Sequence, residues 1–435
     1  MKVLVVSQYY PPEAVPLPAD LAHGLAARGH SVRVLTGHPN YPGGKIFPGY
    51  RQRWRRRENN GKVEVCRVPL FADHSQSAVK RLLNYASFAL SASTARRFGK
   101  GADVIYVYAT QMTAAFGPWI WRLTGGAPYV LHVQDLWPDS IVGSTLVEGT
   151  GAGHRVIGAA LTPWLRSVYR RAAAVVAIAP TMVSTLVERG VPRDRAHLVY
   201  NWADAVTPSE SLLPEVRESP RAEVVYAGNV GDMQDLATAV RAAAAASDGG
   251  VNLTIVGDGV ARESLRRLVT ELGADNVRFE DPVPRERMPE VYAKADFALV
   301  SLKDMPVFRG TIPSKFQAVL AAGIPVISTV QGDVRRFVEE SGVGLAADAE
   351  SIGSLEETLR SAASLDAASR DRMSTRAREV YDSHFSRDAG MSRLEEVLSA
   401  AVKETMGTRA SRGIAAGLIA KSSGPGLSRV HRKRR

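Results

Sequence analysis

The stretch VVYAGNVGDMQDLATAVRAAAAA, residues 224–246, decides how this chain reads. It opens on a β-branched and aromatic run, turns through Gly228 and Gly231, and continues into an alanine-rich helix former, so it is strand, glycine turn, helix. The same order has already been run through once upstream. KVLVVS (2–7) is a strand, ADLAHGLAARGH puts Leu21 and Leu25 on one helical face with Gly29 at its end, and SVRVLTG (31–37) is the next strand. DVIYVYAT (103–110), YVLHVQD (129–135) and AVVAIAP (174–180) are apolar without alternation, as strands buried on both faces are. A polar, proline-rich segment, NWADAVTPSESLLPEVRESPR (201–221), then separates this first set from residue 224 onward.

Downstream, NLTIVGDG (252–259), VRFED (277–281), FALVSL (297–302) and PVIST (325–329) alternate with helical segments, including PSKFQAVLAAG and a short one near Met288 to Lys294. The expectation is an α/β chain of two doubly wound, Rossmann-like domains, residues 1–203 and 204–385. A C-terminal helix over 386–404 should pack back toward the first domain, and a basic disordered tail should occupy 405–435. In open α/β sheets ligands sit beyond the carboxyl ends of the strands, so two facing sheets define one cleft.

With 435 residues the chain is long enough for two or three cores, and its 45% hydrophobic and 23% charged residues are ordinary globular values. One cysteine, Cys66, excludes an internal disulfide and a cysteine-rich metal site and suits a reducing compartment. Net charge is +11, but residues 403–435 hold +8 of it, so the folded part is nearly balanced and offers no basic face for nucleic acid. No run approaches the roughly 18 apolar residues that cross a bilayer, and MKVLVVSQYY is too polar for a signal peptide. The chain reads as soluble or peripheral.

Four segments carry chemistry. In FRGTIPSKFQAVLAAGIPVIS (308–328), Pro313 and Ser314 start a helix, with Ser314 a suitable N-cap. Lys315 in the first turn disfavours the helix by about 0.3 kcal/mol or more, since it stands at the positive end of the dipole. A phosphate held there would explain it, with Arg309 as a second cation; a solvated lysine is the plain alternative. The glycines of 224–236 allow close backbone approach to a phosphate or simply make a turn, and Gly257 in IVGDG reads the same way. Asp135 and Asp139 in YVLHVQDLWPDSIVG (129–143) lie where catalytic groups collect on this architecture, or serve as caps and turn residues, while His132 reads as a core histidine. SQYYPPEAVPLPAD (7–20) is a stiff aromatic loop in which Tyr10 and Glu13 could meet a sugar or isoprenoid.

Taken together, the YYPPE loop, LAARGHSVRVLTGHPNYPGG, QDLWPDS, AGNVG, IVGDG and IPSKFQAVLAAGIPVI make residues 1 to about 400 resemble glycosyltransferase family 4. The resemblance is to its bacterial surface-polysaccharide branch, which includes N-acetyl-L-fucosamine transferases acting on lipid-linked sugars. It implies the GT-B fold, two facing Rossmann-like domains, and retaining, metal-independent transfer of an N-acetylated or deoxy aminosugar. It implies a nucleoside diphosphate sugar, UDP favoured, as donor and no separate cofactor or metal. Three departures from the family stand out. Gly310 and Ala318 occupy the places of a Glu pair, Asn229 and Gln234 those of an Arg and a Lys, and Gln134 that of a His. On this reading Lys315, Arg309 and Asp135 are the catalytic candidates. Gly228, Asn229, Gly231, Ser314, Gln317 and Gly257 bind the donor; Glu13, Tyr10 and Asp139 bind the acceptor.

Membrane contact is expected through RQRWRRR (51–57) and through 80–97, where Leu82 to Ala95 form an uncharged stretch between two basic pairs. Each basic residue near an anionic surface contributes about 1 kcal/mol. This places the chain in the cytoplasm, peripheral on the inner face of the cell membrane. A nucleotide-sugar 2-epimerase of the same fold and an inactive saccharide-binding scaffold remain the alternatives. An NAD dehydrogenase is disfavoured, because Pro11 and Pro12 stand where a Gly-x-Gly-x-x-Gly would follow the first strand.

Overall fold

The structure, a computed structural model, describes residues 1–73, 77–137, 152–202 and 221–422. The first sheet is built from β1 (Lys2–Ser7), β2 (Ser31–Gly37), β3 (Arg56–Asn60), β4 (Val63–Val68), β5 (Val104–Ala109), β6 (Tyr129–Val133), β7 (Ala174–Ala177) and β8 (Ala196–Leu198). Their order is β3-β4-β2-β1-β5-β6-β7-β8, parallel throughout except β3, which runs antiparallel to β4. The second sheet holds β9 (Ala222–Ala227), β10 (Val251–Val256), β11 (Val277–Glu280), β12 (Phe297–Val300), β13 (Val326–Ser328) and β14 (Gly344–Ala346). It is ordered β11-β10-β9-β12-β13-β14, all parallel.

Helices of the first domain are α1 (Leu17–Ala27), α2 (Ala78–Ser93), α3 (Phe116–Leu123), α4 (Ala152–Arg171) and α5 (Pro180–Glu188). Those of the second are α6 (Leu236–Ala245), α7 (Arg262–Leu272), α8 (Met288–Tyr292), α9 (Pro306–Arg309), α10 (Ser314–Ala322), α11 (Asp333–Ser341), α12 (Ile352–Ser364) and α13 (Ala367–Val380). A π-helical turn, Tyr381–Phe385, leads to the last helix, α14 (Arg387–Ser422).

Alternation along each central strand divides its side chains between two cores. Leu4 and Val6 of β1 face the α2 and α3 side with Phe88 and Trp121, whereas Val3 and Val5 face α1 and α14 with Leu21 and Leu394. In the second sheet Val224 and Tyr226 of β9 pack toward α6, α7 and α12, and Val225 and Ala227 toward α8, α10 and α13. The chain therefore enters the second domain once and returns: α14 lies on the first sheet, with Met391, Leu394 and Leu398 buried there.

Two expectations change. Residues 405–422 are helical backbone, not disordered, continuing a helix already nucleated by the packing of Met391 to Ala401; residues 423–435 lie outside the described residues. Arg56 and Arg57, expected at the membrane surface as part of RQRWRRR, belong to β3, an edge strand joined to β4 by a two-residue turn at Gly61–Lys62, with Gly61 at φ 59°. Glycine at the first position of a two-residue loop suits such a hairpin.

In each sheet the central strand has neighbours reached in opposite directions, β2 and β5 beside β1, β10 and β12 beside β9. Loops diverge at such switch points and leave a crevice at the strand carboxyl ends.

Candidate active-site cleft

A cavity of about 520 Å³ lies between the domains. Asp20 of α1, Tyr108 at the end of β5, and Asn201 and Trp202 of the connecting segment line it from one side. Met288 and Tyr292 of α8 and Ser314, Lys315, Gln317 and Ala318 of α10 line it from the other.

Lys315 sits in the first turn of α10. Pro313, not Ser314, is the N-cap residue: its ψ of 142° turns the chain into the helix, Ser314 is already helical, and no side chain caps the start. Of the first-turn amides, that of Phe316 bonds the Pro313 carbonyl at 3.0 Å, whereas those of Ser314 and Lys315 have no acceptor among the described residues and stand beside an ammonium group. The lysine side chain lies over the Tyr226 ring, Nζ 3.9 Å from its centroid, and Nζ donates to the Tyr226 hydroxyl. That hydroxyl donates to the Asn229 carbonyl at 2.5 Å. Gly228 makes room for this arrangement, since a Cβ there would stand 2.4 Å from Lys315 Cε and 2.8 Å from Nζ. Burial pushes the ammonium down to about 8. Among the described residues no carboxylate pairs with it, so the desolvated charge has only the Tyr226 ring and hydroxyl against it and an incoming anion would be stabilised there.

The glycine turns after β9 and β10 pack against each other. A Cβ on Gly257 would lie 2.0 Å from the Gly228 carbonyl oxygen and one on Gly259 2.3 Å from that of Val230. Backbone bonds Gly228 N–H to Val256 O at 2.9 Å and Val230 N–H to Asp258 O at 2.8 Å tie the two turns. Gly257 is thus required by packing, whatever else it does. Asn229 and the Gly231 amide both donate to Gln234 Oε1, at 3.2 and 3.1 Å, so the residues at the family's Arg and Lys positions satisfy one another. Gln317 is buried and lines the cavity.

Other expected residues fall elsewhere. Arg309 does not line the cavity: its guanidinium forks onto Asp304 at 2.8 and 2.6 Å on the surface, which uses it up as a second cation. Tyr10 is fully buried in the core beneath β1 and cannot touch an acceptor. Glu13 is buried too, its carboxylate accepting from the amides of Tyr10, Asn40 and Tyr41 at 3.1, 2.8 and 2.9 Å. Burial pushes its carboxyl up against the pull of those donors, and its work is to hold the first loop to the loop after β2. Asp135, at the end of β6, keeps its surface open to solvent while its apolar surroundings push its carboxyl up. Asp139 lies outside the described residues. His132 is a core histidine, Nδ1 2.6 Å from the Tyr106 hydroxyl and pushed down to about 3 by burial.

Three features escaped the sequence reading. Asn201 donates to Gln134 Oε1 at 2.7 Å on the cleft floor, leaving Gln134 Nε2 and Asn201 Oδ1 buried without partners among the described residues. Asp333, buried at the start of α11, accepts from the Thr181 amide and hydroxyl across the domain boundary at 2.9 and 2.7 Å. Asp20 reaches the cavity from the opposite domain to Lys315. None carries a motif, because each depends on which elements the fold brings face to face.

On the outer side of the first domain, α2 presents Val79, Leu82, Leu83 and Leu90 to solvent at helical spacing, each at least half exposed, with Trp54 and Phe71 also exposed. No helix among the described residues is long and apolar enough to cross a membrane.

The model of the glycosyl transferase 4-like domain matches residues 18–202, and that of glycosyl transferases group 1 matches 214–380. A protein of Escherichia coli K12 named for a glycosyl transferase of colanic acid biosynthesis, WcaI, is 28% identical over 379 residues, covering 83% of this chain and 92% of its own length. The 2-deoxystreptamine N-acetyl-D-glucosaminyltransferase of Streptomyces fradiae is 29% identical over 338 residues, 73% of this chain and 74% of its own. The crystal structure of Anabaena Alr3699/HepE in complex with UDP superposes with a TM-score of 0.63 at 16% identity, over 92% of this chain and all of that one.

Proposed function

The chain belongs to the GT-B glycosyltransferases, a 4-like domain followed by a group 1 domain, and from that we propose that it moves a sugar from a UDP-linked donor to a lipid-linked or saccharide acceptor in surface polysaccharide biosynthesis. The observation that carries this reading is Lys315, an ammonium desolvated at an uncapped helix start inside the interdomain cleft. When a sugar leaves a nucleoside diphosphate, negative charge grows on the leaving phosphate. Donors fixed in advance against such charge supply the largest share of many catalysed rates. Lys315 and the first-turn amides of α10 take that role here, the Gly228 turn bringing backbone close to the phosphate. The reaction retains anomeric configuration, with the leaving phosphate accepting the acceptor's proton, and proceeds without a metal ion. Asp135, exposed just beyond β6, is kept as a catalytic carboxylate in this reading. An N-acetylated aminosugar is the favoured donor, supported by the Streptomyces relative, and a UDP link by the Anabaena complex. The acceptor is met at the inner face of the cell membrane, with α2 and the arginines of 51–57 against the headgroups.

The test is turnover of a panel of UDP-sugars on membrane-extracted acceptor, in EDTA. Transfer by the native chain is expected, and Lys315→Ala should lower kcat about 100-fold with an unchanged melting curve. Near-normal turnover in that variant removes Lys315 from the mechanism, and none by the native chain favours the scaffold alternative.

A further inference from the structure

Resting on the nucleotide-donor reading, we propose that Asp20 receives the ribose hydroxyls of the donor nucleotide, from the domain opposite the one that holds the diphosphate. The cavity has two charged residues in its lining, Lys315 and Asp20, one from each domain. Lys315 is suited to the diphosphate. The face that α10 turns to the same space carries Gln317, Ala318 and Ala322, with no carboxylate. A vicinal diol is a pair of hydroxyl donors, and its strongest protein partner is an ionised carboxylate, which forms short charge-assisted bonds. Asp20 is the one such group lining this cavity among the described residues.

Its present bonds leave it capacity. Oδ2 accepts from Trp202 Nε1 at 3.4 Å and Oδ1 faces Arg387 Nη2 at 3.6 Å, both long, and the side chain remains 24% exposed. Two carboxylate oxygens offer about four lone-pair sites, so two weak contacts do not saturate them. Asp20 also stands in the first turn of α1. Between the two charges the walls are largely apolar, with Leu17, Met288 and Tyr292, and a space of about 520 Å³ is within the range of small-ligand clefts, roughly 300–1,000 Å³. A nucleoside diphosphate matches this polarity: anion at one end, diol beside an apolar ring at the other. Because the diol's partner comes from α1 and the diphosphate's from α10, one nucleotide would draw the two domains together.

The competing account is that Asp20 only ties α1 to Trp202 and Arg387. Calorimetric titration of the full chain with UDP, 2′-deoxy-UDP and 3′-deoxy-UDP separates the two, with the guanosine series run in parallel. The native protein is expected to bind UDP at least about tenfold more tightly than the deoxy forms. Asp20→Ala should bind all three alike, at the deoxy level, with Asp20→Asn intermediate and similarly folded by thermal melting. Lys315→Ala should weaken all three by one factor and keep the ratio. Equal binding of UDP and its deoxy forms by the native chain, or discrimination that survives in Asp20→Ala or in full in Asp20→Asn, overturns the assignment. Failure of the native chain to bind any UDP or GDP overturns the donor reading beneath it.

Discussion

A lysine buried over a tyrosine ring, with no carboxylate of the described residues paired to it, titrates within reach of experiment. Burial sets Lys315 at about 8, and it is the charged form that meets the phosphate. The sign follows: below that value the ammonium is present, and kcat/KM should fall as pH rises through about 8. Diphosphate in the site favours the charged form, so the alkaline limb of kcat should lie higher than that of kcat/KM. A pH profile with coincident limbs, or none between pH 7 and 10, would contradict this. Lys315 was legible in the sequence because a cation in the first turn of a helix conflicts with the dipole. Arg309 looked equally suitable by position, yet a bidentate pair with Asp304 five residues back removes it, and only side-chain geometry shows that. Tyr10 and Glu13 misled for a related reason: an aromatic and an acid in a long loop resemble binding residues, but here both are buried to fasten the loop.

At the level of elements, the starts of α5 and α11 meet end to end across the boundary, joined by Asp333. Its buried carboxylate accepts from the Thr181 amide and hydroxyl and pairs with Arg336. Asp333→Ala leaves those donors unpaired and should cost about 1–3 kcal/mol in urea unfolding; no loss would show that water replaces the carboxylate freely. A second element-level prediction concerns α2. Leu82→Glu with Leu83→Glu puts two charges on its exposed apolar stripe and should reduce co-sedimentation with anionic vesicles at least about tenfold, leaving turnover on a soluble acceptor unchanged. Undiminished sedimentation would move the contact elsewhere. The strands of both sheets were readable from their apolar runs, because parallel strands buried on two faces need no alternation. The exposed leucines of 80–97 were expected to meet a membrane from the uncharged run between basic pairs, but which of them face outward was not legible, since the same spacing serves a buried stripe.

Across the whole molecule, the two sheets are joined by more than the cleft. Deleting residues 407–435 should leave the thermal midpoint unchanged, since the buried contacts of α14 with the first domain run from Met391 to Ala401. Leu394→Ala, by contrast, removes a fully buried side chain from that contact and should cost about 2–5 kcal/mol. A truncated chain that melts early would show that the basic segment contributes to stability. The return of α14 has a mechanical side. Among the described residues the lobes are tied at two passages, the Tyr381–Phe385 turn and the Asp333–Thr181 contact, so they are mounted like a door on two pins rather than a flag on one cord. Such mounting leaves swinging about the line through both passages as the easy motion and resists twisting. Each opening and shutting should therefore bring α1 and α10 back to the same registration, without a search over orientations.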